Sequence, residues 1–495
     1  MLEKSANMAD CDARARELSS IAIADPLIAA LPASQTWLSC GAAPATGHGS
    51  DLAALAAPAA LLRLPRALRL LRVSTGGRHS FALAREHDEG ACADRGIFGS
   101  DSATALFGFG ANDLGQLGVD ADGAADGVPA RVPLPAPLQR LGVRSVACGW
   151  QHTLVVAGGA GAGAGAGDDA DFGSLWACGD GADGRLGVGP LAAQGAVRAL
   201  RRVLFPQGTA PVVAAAAGAR HSVAVTADGR VFSWGRNARD CALGRPLDSP
   251  ASVDVPALVP FAELLADAVA VAAGFAHCAV LTNSGNIVTW GSNRYGQGGR
   301  INEGADQLES TRLRATARPL PPGRVAGLPP CSAVACGWNR TLALPQYVAG
   351  EASSGPGTVF VWGRDDLLAA PAAVAGGASA GAASSPATAH LWAPTVVSLA
   401  CASGRADDSS RPRSVPSAVS IACGAESCHC VLACGCLFSW GWAEHGNLAA
   451  GEGDTRDRER GAPAAVPCHG GGATAAEVVA AGAATFVRTQ AAASE

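Results

Sequence analysis

The segment AAAGARHSVAVTADGRVFSWG, Ala215–Gly235, holds the two phrases from which the chain is built. From His221 onward, apolar residues alternate with small or polar ones, the pattern of a strand with one buried face. Ala227–Gly229 reads as a tight turn of the Asp-Gly kind, which reverses a chain within two residues. A β-hairpin ending at Trp234 is therefore predicted. That indole, at a fixed strand position, suits packing between adjacent sheets. Gly218 stands where a strand must turn or where backbones approach closely.

The first phrase, an apolar run followed by Gly and then often His, returns seven times, with its glycines at Gly76, Gly149, Gly218, Gly274, Gly337, Gly424 and Gly482. The second phrase, an aromatic before Gly and a polar loop, follows most of these, as in LFGFGANDLGQLG from Leu106 and IVTWGSNRYGQGG from Ile287. The last copy of the first phrase lies near the C-terminus and lacks a second phrase. An orphan second phrase, TWLSCGAAPATGHGS from Thr36, lies near the N-terminus. Together they complete one unit. The expected architecture is all-β: a seven-bladed β-propeller of four-stranded blades, with the ring closed by a blade from both chain termini and so without free sheet edges. Neither a recurring Trp-Asp dipeptide nor a kelch glycine pair is present.

The propeller is expected over residues 35–490, preceded by a flexible extension over 1–34 and followed by a tail over 491–495. Runs of Gly and Ala near 157–171 and 369–389 are too poor in large side chains to build a core, and read as loop insertions.

Composition narrows the function. Apolar residues make up 48%, and the net charge of −5 leaves no clustered cationic excess for phosphates, so no direct nucleic-acid partner is expected. Apolar runs fall short of the ~20 residues of a membrane span. No secretory signal is evident, so the 16 cysteines are expected as reduced thiols in the cytoplasm, the nucleus or both. A monomer is expected.

SCHCVLACGC, Ser427–Cys436, packs four cysteines and a histidine into ten residues and raises the question of a metal site. Aligned under the opening segment, Ser427 falls on His221, Gly435 on Gly229 and Trp440 on Trp234. The 13-residue spacing to Trp is the same as from His277 to Trp290. The cysteines thus occupy hairpin positions, as small apolar filler. Cys148, Cys178, Cys336 and Cys423 fill comparable positions elsewhere. No metal ligand and no cofactor is assigned. The repeated histidines read as structural. No nucleophile–base constellation stands out, so the chain is read as no enzyme. The polar loops after each aromatic-Gly are the candidate protein-binding residues: Arg236, Asn237, Arg294, Tyr295, Trp442, Glu444 and His445, with Asn112, Asp113, Arg364 and Asp365 beside them.

FGANDLGQLG, WGSNRYGQGG and HSVAVTADGRVFSWG resemble the repeat of the regulator of chromosome condensation superfamily, a seven-bladed propeller, and the resemblance covers nearly the whole chain. His gives way to Arg340, Ser427 and Thr485 in the last three units, a departure from the family pattern. WGWAEHGN, Trp440–Asn447, resembles a segment of the alpha-tubulin suppressor and secretion-regulating exchange-factor-like subgroup. The resemblance implies a non-catalytic interaction scaffold. It also implies a protein partner: a CSL-type zinc-finger protein acting in diphthamide synthesis and tRNA wobble modification or, alternatively, a small GTPase whose guanine nucleotide the protein exchanges.

Overall fold

The structure, a computed structural model, describes residues 36–42, 54–60, 68–86, 104–120, 129–158, 171–190, 195–237, 240–246, 252–261, 267–300, 319–347, 357–364, 390–399, 416–442, 448, 459–466, 473–482 and 484–491. The N-terminal extension and most of both low-complexity insertions lie outside these residues.

The chain forms an all-β propeller. Six blades are each built from four consecutive antiparallel strands. Blade 1 begins with Leu68–Thr75 and His79–Glu86. Blade 2 begins with Val143–Cys148 and His152–Ala157, and blade 3 with Val212–Ala217 and His221–Thr226. Blade 4 begins with Ala268–Ala273 and His277–Thr282, blade 5 with Cys331–Cys336 and Arg340–Pro345, and blade 6 with Ala418–Cys423 and Ser427–Leu432. The expected seven-bladed ring is thus corrected to six blades of this kind. The remaining four-stranded sheet draws on both ends of the chain. Ala473–Ala481 pairs with Ala484–Ala491, which pairs with Thr36–Ala42, which pairs with Ala54–Ala60.

The hairpin read from the sequence forms in register. His221 lies opposite Gly235, and Ser222 opposite Trp234. His277 and Gly291 pair in the same way in blade 4, as do Ser427 and Gly441 in blade 6. SCHCVLACGC is therefore a strand, Ser427–Leu432, and the turn that leads to the next strand at Leu437, with Cys428 and Cys430 fully buried and Cys434 exposed in the turn. Trp234, Trp290, Trp362 and Trp440 are wholly buried between blades.

The first strand of each blade runs along the axis. There the repeated glycines meet as a ring. A methyl group on Gly149 or Gly218 would sit 2.6 or 2.7 Å from the carbonyl oxygen of the next blade's glycine, far inside van der Waals contact. Only glycine permits that approach. Backbone bonds cross the same seam: Trp150 N–H donates to Gly218 O at 3.1 Å, and Ala425 N–H to Gly482 O at 2.8 Å.

A second belt lies just outside the ring. The His79 imidazole Nε2 lies 2.8 Å from Thr153 Oγ1 of the next blade. His152 reaches Ser222 at 2.9 Å, His221 reaches Cys278 at 3.1 Å and His277 reaches Thr341 at 3.0 Å. Burial pushes the first, third and fourth of these imidazoles down to about 3, 4 and 3, so they stand neutral and can both donate and accept. Each histidine thus ties its blade to the next, the structural role the repeat implied.

Candidate protein-binding face

The turn between the first two strands and the loop after the third emerge on one face. The two are stitched together in each of the first five blades, because the residue following the third-strand glycine donates to that turn. Ala111 N–H reaches Arg78 O at 2.9 Å, Asp180 reaches Gln151 at 2.8 Å and Arg236 reaches Arg220 at 2.9 Å. Ser292 reaches Ala276 at 2.8 Å, and Arg364 reaches Asn339 at 2.8 Å.

At the centre of this face three aromatic rings meet over the axis. Trp150, Phe275 and Trp338 each follow a ring glycine, in blades 2, 4 and 5. Their centroids lie 5.1, 5.7 and 6.3 Å apart in edge-to-face contacts. Phe275 remains 44% exposed. A cluster of rings held by rigid strand ends can bury apolar area on a partner at little entropic cost.

Charges surround the aromatic centre. The side chain of Arg185 is 97% buried and is fixed by Asp180 at 3.0 Å and Asp183 at 3.2 Å, with a further bond from its Nη1 to Ala219 O. Asp183 also faces Arg220 at 3.8 Å and Arg236 at 3.6 Å, both of them largely solvent-exposed. On the far side Arg364 pairs with Glu426 at 2.8 Å and lies over the Tyr295 ring at 5.8 Å. Tyr295 in turn abuts His390, and His390 abuts Trp392. Arg78 and Asp113 stand 4.0 Å apart, both more than half exposed. Exposed pairs of this kind contribute only ~0–1 kcal/mol to folding, so a partner can exchange them at little cost. Among the described residues no group of three or more metal-ligating side chains is assembled.

The four stretches 105–156, 173–225, 228–281 and 284–344 match the regulator of chromosome condensation (RCC1) repeat, and a second model of the repeat matches 212–241 and 268–297. The bovine protein named secretion-regulating guanine nucleotide exchange factor is 30% identical over 409 residues, 80% of this chain and 70% of that protein. The mouse protein of that name is 31% identical, over 70% of this chain and 64% of its own length. The chain belongs to the RCC1 repeat family. Within it the chain falls with the secretion-regulating exchange-factor-like subgroup. Among solved structures, Prp20p of Saccharomyces cerevisiae matches with a TM-score of 0.67 at 18% identity, over 97% of this chain and 95% of that one, a likeness of fold.

The expected residues divide between those on the face and those that hold its loops. Arg236 and Arg294 are exposed on it and Tyr295 is half-buried there. Asn237 does not belong to the binding set: it is 2% exposed, and its amide closes its own loop. Its Nδ2 donates to Pro246 O at 3.3 Å, and its Oδ1 accepts from Leu243 N–H at 3.2 Å. Asn112 and Asn293 latch their loops in the same way. The recurring Asn is thus a loop-forming residue. Trp442 ends the third strand of blade 6. Glu444, His445 and Asp365 lie outside the described residues. The sequence reading missed the aromatic centre, because those rings occupy positions of the first phrase that vary between copies. The usable signal was that GW, GF and GW recur directly after the ring glycine in blades 2, 4 and 5.

Proposed function

We propose that the protein is a non-catalytic interaction scaffold that docks a folded protein partner on the face centred on Trp150, Phe275 and Trp338. The observation that carries this reading is the exposed aromatic centre, held by strand ends and ringed by Arg–Asp and Arg–Glu pairs, of which Arg78–Asp113 is the most exposed. We further propose that the sheet built from both chain ends serves as a seventh blade and closes the ring. It supports this that Ala473–Ala481 packs against the first strands of both blade 1 and blade 6, and that a Cβ on Gly482 would meet the backbone of Gly77. The face then has a continuous rim.

For the partner, the resemblance of WGWAEHGN supports a CSL-type zinc-finger protein and a role in diphthamide synthesis and tRNA wobble modification. The names of the bovine and mouse relatives favour a second reading, guanine-nucleotide exchange on a small GTPase. Exchange requires tighter binding to the nucleotide-free GTPase than to the loaded form. Cytoplasm and nucleus are the proposed compartments.

The test is affinity purification of the full chain beside Phe275→Ala/Trp338→Ala. The scaffold reading expects the captured partner to be lost from the double variant at unchanged melting temperature. Retention of that partner by the double variant contradicts the assignment of the face.

A further inference from the structure

The inner hairpin of blade 6 differs from those of the other five blades in its chemistry. At the last position of the first strand and the facing position of the second, the other blades place Thr75 with Ser80, Cys148 with Thr153, Ala217 with Ser222, Ala273 with Cys278 and Cys336 with Thr341. Blade 6 alone among them places cysteine at both, Cys423 facing Cys428. One step further along this hairpin, Gly424 N–H donates to Ser427 O at 2.9 Å. Antiparallel pairs alternate, so Cys423 and Cys428 form the non-hydrogen-bonded kind, with α-carbons ~4.5 Å apart. That separation falls within the range a disulfide spans.

A cation faces the pair. In blades 1 to 4 the histidine slot reaches the residue at the Cys428 position of the next blade. In blade 5 that slot holds Arg340, which is buried. Its Nε donates to Arg364 O and its Nη1 to Glu426 O, each at 2.7 Å, and its positive charge acts on Cys428. The hydrogen bond from Cys423, aided by Arg340, holds the Cys428 thiol below its ordinary value against the effect of burial, while burial and the same pairing push Cys423 up. A thiolate is the reactive form of cysteine, and a neighbouring cation favours it.

There is also a way in. Cys423 lines the axial cavity of about 70 Å³ that the ring glycines surround. A water molecule needs roughly 10–15 Å³ of such cavity volume, and hydrogen peroxide is little larger.

We propose that Cys423 and Cys428 are a reversible oxidation site, in which a small peroxide entering along the propeller axis closes a disulfide across the inner hairpin of blade 6. One thiolate attacks a peroxide oxygen, breaking the O–O bond, and becomes a sulfenic acid while hydroxide leaves. The second sulfur displaces the sulfenic hydroxyl, the S–S bond forms, and the hydroxyl departs as water with the second thiol's proton. Two sulfurs are oxidised, and one peroxide is reduced to two waters once the hydroxide is protonated. A thiol reductant reverses the step by exchange.

The experiment uses the full chain, reduced and desalted, then treated with hydrogen peroxide, blocked with iodoacetamide and digested with trypsin and Glu-C without reductant. Glu426 lies between the two cysteines, so cleavage there leaves them on separate peptides unless a bridge joins them. The expected result is a linked pair that dithiothreitol releases, absent in Cys428→Ser, retained in Cys430→Ser, and formed more slowly in Arg340→His, which weakens the cation beside the thiol. A melting curve of Cys428→Ser matching that of the parent shows that the loss is not misfolding. The proposal is overturned if the two peptides separate at peroxide doses that already oxidise the exposed Cys434, or if Cys423 is found bridged to Cys336 instead.

Discussion

In blade 4 the imidazole that ties one blade to the next belongs to His277, three residues after the ring glycine. In blade 6 that position is Ser427, too short to cross the seam, and the imidazole comes from His429. It lies in the next sheet-facing layer, where blades 3 and 4 place Val223 and Ala279. Its Nδ1 sits 2.8 Å from Ser439 Oγ, and its Nε2 lies 3.0 Å from Ser427 Oγ and 3.3 Å from Thr485 Oγ1 of the terminal sheet. Burial pushes it down to about 3, as it does His277. The two blades share a register and a polar link across the seam, but not the residue that makes it. What the repeat preserves is the satisfied inter-blade bond, since an unsatisfied buried polar group costs more than a made bond returns.

The largest effect is expected where both blades obey the same steric rule. Gly274→Ala places a methyl group 2.4 Å from Gly337 O and should cost ~3 kcal/mol in urea unfolding, whereas Gly424→Ala, 3.2 Å from Gly482 O and otherwise against the Ser427 hydroxyl, should cost less. A loss at Gly274 under half of that would mean that the ring does not need its glycines.

Next comes the histidine itself. His277→Ala leaves Thr341 without its imidazole and opens a void, and should cost ~2–3 kcal/mol. Ser427→Ala should cost ~1 kcal/mol, because His429 keeps its bond to Ser439. Equal losses would break the comparison between the blades.

Acid should act on both blades alike. His79, His152, His221, His277 and His429 all have folded values depressed by burial below the unfolded 6.5. The unfolded chain therefore takes up protons that the folded chain refuses. No penalty exists at neutral pH. Stability falls as pH drops below about 6.5, and continues to fall toward the folded values near 4 and 3, by ~1.4 kcal/mol per pH unit for each histidine. Denaturation midpoints measured at pH 7 and pH 5 check this, and His277→Gln should flatten the slope by one histidine's share.

A double-mutant cycle sharpens the comparison further. Ser427→His alone crowds an occupied site and should destabilise, whereas adding His429→Val should recover part of the loss, with a coupling of ~0.5–3 kcal/mol. Additive losses would show that the two positions are independent. The smallest effect belongs to the exposed face: Arg236→Ala should change stability by less than ~0.5 kcal/mol.

The sequence displayed the fold through the hairpin register, because a period-two pattern and a fixed distance to a buried Trp leave few alternatives. The pairing of Thr36–Ala42 with the last strand was likewise legible from the incomplete units at the chain ends. The candidate face was half legible. Arg236, Arg294 and Tyr295 were visible as polar or aromatic residues in turn contexts. Asn237 was misplaced because a polar turn residue looks the same whether it faces solvent or closes its own loop. Trp150, Phe275 and Trp338 converge only when blades 2, 4 and 5 are set around one axis, and no local pattern encodes that convergence. The replacement of His by Arg340 and Ser427 was plain in the sequence, but the rescue by His429 requires the neighbouring blade.

Release of a fluorescent GDP analogue from a panel of purified small GTPases, with and without the full chain, is the most direct test of the scaffold reading. A non-catalytic scaffold leaves every release rate unchanged. Acceleration of release from any member, abolished by Phe275→Ala/Trp338→Ala, would contradict it and make the face an exchange site.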